Sequence, residues 1–154
     1  MSSSDSFGVP APSRTSPPTG AGVLRGDTGL LRLALRLDAV ATGAVGAAAL
    51  IGCAALDSAL GLPAAFLAGI GVFLVLYALF VARAGSAPVP DRGAVWVVIG
   101  GNLAWFALSA VTAAAGWLGP TGLGTVMIVI QAVAVLGFAD LQFYGLRRAR
   151  ESAA

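Results

Sequence analysis

Histidine is absent from this sequence, lysine is absent too, and cysteine occurs once, at Cys53. Without imidazole there is no histidine general base, no histidine-ligated haem and no ordinary zinc site. A single thiol excludes an intramolecular disulfide and a paired-cysteine redox centre. Neither a metal nor another cofactor is expected, and no enzymatic activity, since catalysis would have to rest on scattered carboxylates and hydroxyls. Charge is scarce as well, at 10% of residues, and all nine basic side chains are arginines in the N-terminal segment, at helix ends or in one loop. They form no basic patch with interleaved aromatics, so a nucleic-acid partner is not expected.

What is abundant is apolar surface: 58% of the 154 residues are hydrophobic, too many for a soluble domain of this length. Between Arg92 and Asp140 there are 47 consecutive residues without a charge. One helix crosses a hydrocarbon layer of ~30 Å with ~20 residues, so this stretch must fold back on itself. The runs are too long and too uniformly apolar for the alternation of a membrane barrel. The expected fold class is all-α, a four-helix transmembrane bundle made of two helical hairpins, with a disordered N-terminal tail.

Residues 1–28 are rich in Ser, Pro and Gly with no apolar period, the composition of a disordered tail. A membrane domain is expected over 29–148, with spans at about 37–56, 63–83, 94–116 and 121–146, followed by a short tail at 149–154. The stretch from Leu30 to Asp38 reads as an amphipathic lead-in to the first span. Pro63 falls in a first turn, where a helix tolerates it, and Asp91 is the expected N-cap of the third span. Gly116 to Gly122, with Trp117 and Pro120, has the chemistry of a tight hairpin at a membrane surface.

Arginines set the expected orientation. Arg14, Arg25, Arg32 and Arg36 precede or begin the first span, Arg83 and Arg92 flank the middle loop, and Arg147, Arg148 and Arg150 close the chain. Under the positive-inside rule both termini are cytoplasmic, in a multi-pass protein of the bacterial cytoplasmic (inner) membrane.

The polar residues inside the spans are few. Asp38 and Asp140 are carboxylates within or at the edge of the hydrocarbon, where charge is costly. Their expected role is structural, in a charge network with Arg36, Arg83 and Arg147; the alternative is that one of them binds a proton or cation. Asn102, Trp105 and Ser109 recur on one face of the third span, and Gln131 and Gln142 on one face of the fourth. Asn102 and Gln131 are expected to face the interior within hydrogen-bonding reach, directly or through one intermediary, as a structural clamp or as lining of a polar pocket with Trp105 as one wall. Small residues at intervals of four, Ala39, Gly43 and Ala47, with Ala65 and Gly69 and with Val97 and Gly101, predict close helix packing. Leu50-Ile51-Gly52-Cys53 matches a lipobox, but Cys53 lies far from the N-terminus and is expected to be an ordinary helix residue.

The segments Ala34 to Ala39, Gly101 to Trp105 and Phe138 to Arg148 resemble an uncharacterised family of small four-span integral membrane proteins of high-GC bacteria. The likeness covers roughly residues 30–148 and implies the fold without a mechanism. A weaker similarity, to DoxX-like membrane proteins, rests on span count and an arginine in the first helix. The leading functional expectation is a non-enzymatic accessory or assembly factor acting through helix contacts in the bilayer, its partner another membrane protein or a second copy. The alternative is a small transporter or channel, monomeric or dimeric, using Asp38 or Asp140.

Overall fold

A computed structural model describes residues 28–116 and 118–152, and these form four antiparallel helices. They are α1, Gly29–Leu60; α2, Ala64–Ser86; α3, Arg92–Ala115; and α4, Gly122–Glu151. Each is long and apolar enough to cross a membrane. The expected tail, apart from Thr28, lies outside the described residues, as do Trp117 and the last two positions.

Two helices run further than expected. The lead-in is continuous with the first span, so α1 has 32 residues and a length of about 48 Å. α4 has 30 residues and continues through Arg147, Arg148 and Arg150 to Glu151, beyond the boundary expected at Leu146. Arginine stems are good helix formers, and cations at a helix C-terminus complement its dipole, which favours this extension. Cys53 lies within α1, half-buried.

The ends are fixed by local chemistry. Asp91 accepts from Ala94 N at 2.9 Å and caps α3, and Thr121 accepts from Gly124 N at 3.1 Å and caps α4. α1 and α3 stop at Gly61 and Gly116, whose φ angles of 68° and 62° are left-handed. Thr121 also ties the two hairpins together: its N–H donates to Leu60 O at 2.9 Å and its hydroxyl to Ala59 O at 2.7 Å.

Packing is uneven around the bundle. α1 and α2 share the most extensive contact, α4 packs on both α1 and α3, and α2 and α3 barely meet. α1 and α2 cross closely at Gly46 and Gly71, where a Cβ on Gly71 would sit 2.8 Å from Gly46 O. Of the small-residue series read from the sequence, Ala39 is buried and Gly43 faces Ala78, whereas Gly69 has nothing near it. At the arginine-bearing end Leu31, Leu35, Val81, Val95, Val98, Ile99 and Leu146 form a closed apolar core. At the other end the bundle thins: no residue of α3 beyond Asn102 is buried.

Candidate functional site: a buried carboxylate in a four-helix polar cluster

Asp38 is fully buried, and so are Gln142 and, at 2% exposure, Asn102. Helix geometry brings them to one level. Asp38 lies nine residues from the start of α1 and Asn102 ten from the start of α3, while Tyr77 and Gln142 lie nine from the ends of α2 and α4. At ~1.5 Å per residue all four are about 14 Å from the arginine-bearing helix ends.

The carboxylate of Asp38 accepts three hydrogen bonds. Gln142 Nε2 donates to Oδ2 at 2.7 Å, Asn102 Nδ2 donates to the same oxygen at 2.8 Å, and Thr42 Oγ1 donates to Oδ1 at 2.9 Å. Asn102 Nδ2 also reaches Gln142 Oε1 at 3.3 Å, which links the two carboxamides. α2 contributes Tyr77, whose hydroxyl donates to Val98 O at 2.9 Å and lies 3.4 Å from Asn102 Oδ1. Every helix thus supplies a member. Room for the tyrosine comes from Gly101, since a Cβ there would stand 2.6 Å from the Tyr77 hydroxyl oxygen.

Among the described residues no cation neutralises Asp38. The charge network expected with Arg36, Arg83 and Arg147 does not form: Arg36 Nε donates to Gly85 O at 3.2 Å, Arg83 is exposed, and Arg147 pairs with Glu151 at 2.9 Å. Asp140 is exposed and takes no part in the cluster. Sequence spacing explains the first of these, because residues two apart on a helix point to different sides and Arg36 is directed away from Asp38.

The expected partnership of Asn102 with Gln131 is also replaced. Asn102 bonds Gln142 and Asp38, while Gln131 is half-buried and its side chain makes no hydrogen bond among the described residues. Positions 131 and 142 are eleven apart, about three turns, so both lie on the same face of α4 at levels roughly 16 Å apart. Trp105 is close to the site without bonding to it: its ring stacks on Phe73 at 5.8 Å, and Phe73 stacks on Tyr77 at 6.1 Å. This aromatic file fills the α2/α3 seam, and the buried Trp105 Nε1 has no hydrogen-bond partner among the described residues. Ser109 is half-buried, and its side chain makes no hydrogen bond among the described residues. Thr42 and Tyr77 are the members not singled out from the sequence. The signal for Thr42 was its place one turn from Asp38; Tyr77 offered only its being the one polar side chain in the middle of α2.

Four spanning helices closed around a polar cluster define a multi-pass integral membrane protein. No protein-family model, curated protein or solved structure matches the chain.

Proposed function

We propose that this protein is a small, non-enzymatic, proton-linked transporter or channel of the bacterial cytoplasmic membrane, with Asp38 as the group that takes up and releases the proton. The observation that carries this reading is a fully buried carboxylate whose donors among the described residues are all neutral. A hydrogen-bond clamp between membrane helices is worth only ~0.6 kcal/mol, and two carboxamides supply one without charge. Burying an ion costs several kcal/mol, so a carboxylate at this place calls for a role that an amide cannot fill.

Proton exchange is such a role. The bonds to Asp38, at 2.7 to 2.9 Å, are direct contacts with neutral side chains. They can follow a proton: a half-turn of the Gln142 carboxamide would present its oxygen to a neutral carboxyl group. The apolar core closes the site toward the arginine-bearing end, and the thinner packing on the other side gives the route of approach. The positive-inside rule makes the arginine-bearing end cytoplasmic. Reporter fusion after Arg150 checks this, and alkaline phosphatase activity there would reverse the orientation.

The test of the site is infrared difference spectroscopy of the reconstituted protein between acid and alkaline conditions, together with proton flux into liposomes. A buried carboxyl C=O band that is present in the wild type and missing from Asp38→Asn, with flux lost in the same variant, is the expected outcome. Flux retained in folded Asp38→Asn would overturn the proposal. A second reading, an accessory factor for another membrane protein, is favoured by the unburied outer half of α3. It predicts a stoichiometric partner that shields residues 103–115 in mild detergent.

A further inference from the structure

At the arginine-bearing end, α3 and α4 enclose an open cleft of about 440 Å³ that plays no part in the Asp38 cluster. Its lining is Trp96 from α3 with Phe143, Leu146, Arg147, Arg150 and Glu151 from α4. The lining is ordered along the helix axis. Phe143, which meets Trp96 edge to face at 6.0 Å, is the deepest lining residue of α4, and the charged groups of α4 stand one to two turns nearer the helix end. From Phe143 to Arg150 is seven residues, about 10 Å along the axis.

That gradient runs from hydrocarbon to headgroup. Trp96 is one turn inside the α3 terminus, at the depth where tryptophan anchors a membrane interface. Two arginines against one glutamate leave the rim with a net positive charge. Among the described residues Arg150 makes no ion pair, and the bond from Arg147 to Glu151 is exposed and weak enough to yield to another anion.

We infer that this cleft binds an anionic phospholipid of the surrounding bilayer, its phosphodiester on Arg147 and Arg150 and an acyl chain against Trp96, Phe143 and Leu146. Arginine matches a phosphate geometrically through its planar fork. Basic pockets between membrane helices bind acidic headgroups for the same reason. The inference does not depend on proton exchange at Asp38.

The probe is phosphatidylglycerol with brominated acyl chains, compared with brominated phosphatidylcholine at equal fraction in nanodiscs. Trp96 is the reporter, its emission taken as the wild-type signal minus that of Trp96→Phe, a substitution at an exposed ring. One net charge at the surface corresponds to about a fivefold preference for phosphatidylglycerol in quenching. The preference should vanish in Arg147→Gln/Arg150→Gln and persist in Arg83→Gln, whose arginine lies on α2. Equal quenching of the wild type by the two lipids overturns the inference even if the double variant does not fold. So does Trp96 emission quenched by neither, the result expected if a second copy covers the cleft. Preference unchanged in the folded double variant would place the lipid elsewhere and overturn it as well.

Discussion

Gln142 Nε2 stands 2.7 Å from Asp38 Oδ2, a bond between residues 104 positions apart that joins α4 to α1 inside the membrane domain. Gln142 also receives Asn102 Nδ2, so its carboxamide both donates and accepts within the cluster. Gln131, on the same face three turns away, does neither.

The two glutamines therefore separate in a stability measurement. Gln142→Leu removes a donor from a buried carboxylate and an acceptor from Asn102, a loss on the order of 1 to 3 kcal/mol. Gln131→Leu, half-buried and without a bond, should stay within about 0.5 kcal/mol of wild type. Thermal or denaturant unfolding in one detergent compares them. Equal losses would mean that Gln131 shares in the cluster.

Asp38 gives a sharper contrast. Asp38→Asn keeps the size and most of the bonding while removing a charge from low dielectric, so it should be neutral or stabilising in the same unfolding assay. Asp38→Leu strands Thr42, Asn102 and Gln142 without their acceptor, at about 1 to 3 kcal/mol for each group left unsatisfied. A leucine variant as stable as the asparagine variant would show that these groups find other partners.

Much of this architecture was legible in the sequence because it follows from one-dimensional quantities. Uncharged run lengths gave the four spans, and Asp91 gave the start of α3. Facing was partly legible too, since Asn102 and the glutamine face of α4 do point inward. Level was not. Gln131 lies nine residues from the start of α4, but α4 runs on to Glu151, and the level that meets Asn102 is that of Gln142. The missing arginine partner of Asp38 has a similar cause: Arg36 is its near neighbour in sequence but points to another side of the helix. Tyr77 was hidden in an apolar run, and its role depends on a vacant Cβ on another helix, at Gly101, which no local pattern encodes.

Close approach of backbones, rather than small-residue spacing, should decide which glycines matter. A Cβ at Gly71 would meet Leu50 N at 2.7 Å and Gly46 O at 2.8 Å, both backbone atoms that cannot swing aside. Gly71→Ala should force α1 and α2 apart and cost on the order of 1 to 3 kcal/mol. Gly69→Ala, two residues away with nothing within 4 Å, should be neutral or slightly stabilising, because alanine is the better helix former. Unfolding in detergent measures both, and a tolerated Gly71→Ala would mean that the crossing can relax.

Tyr77 and Gly101 should behave as a coupled pair across the α2/α3 seam. Tyr77→Phe removes a hydroxyl that donates to Val98 O, for a loss of about 0.5 to 1.5 kcal/mol. Gly101→Ala in the wild type places a methyl 2.6 Å from that hydroxyl oxygen and must displace the ring, so it should break the same bond. In Tyr77→Phe the oxygen is gone and the bond is already lost, so the alanine should cost less there than in the wild type. The coupling expected from a double-mutant cycle is about 0.5 to 2 kcal/mol, measured as the difference between the two Gly101→Ala effects. The stacking of Phe73 on Tyr77 at 6.1 Å carries the displacement toward Trp105, so the indole fluorescence of Gly101→Ala should shift while that of Gly69→Ala does not. Additive effects with unchanged fluorescence would mean that Tyr77 is not held by the gap at Gly101, and that the seam is closed by something other than the aromatic file.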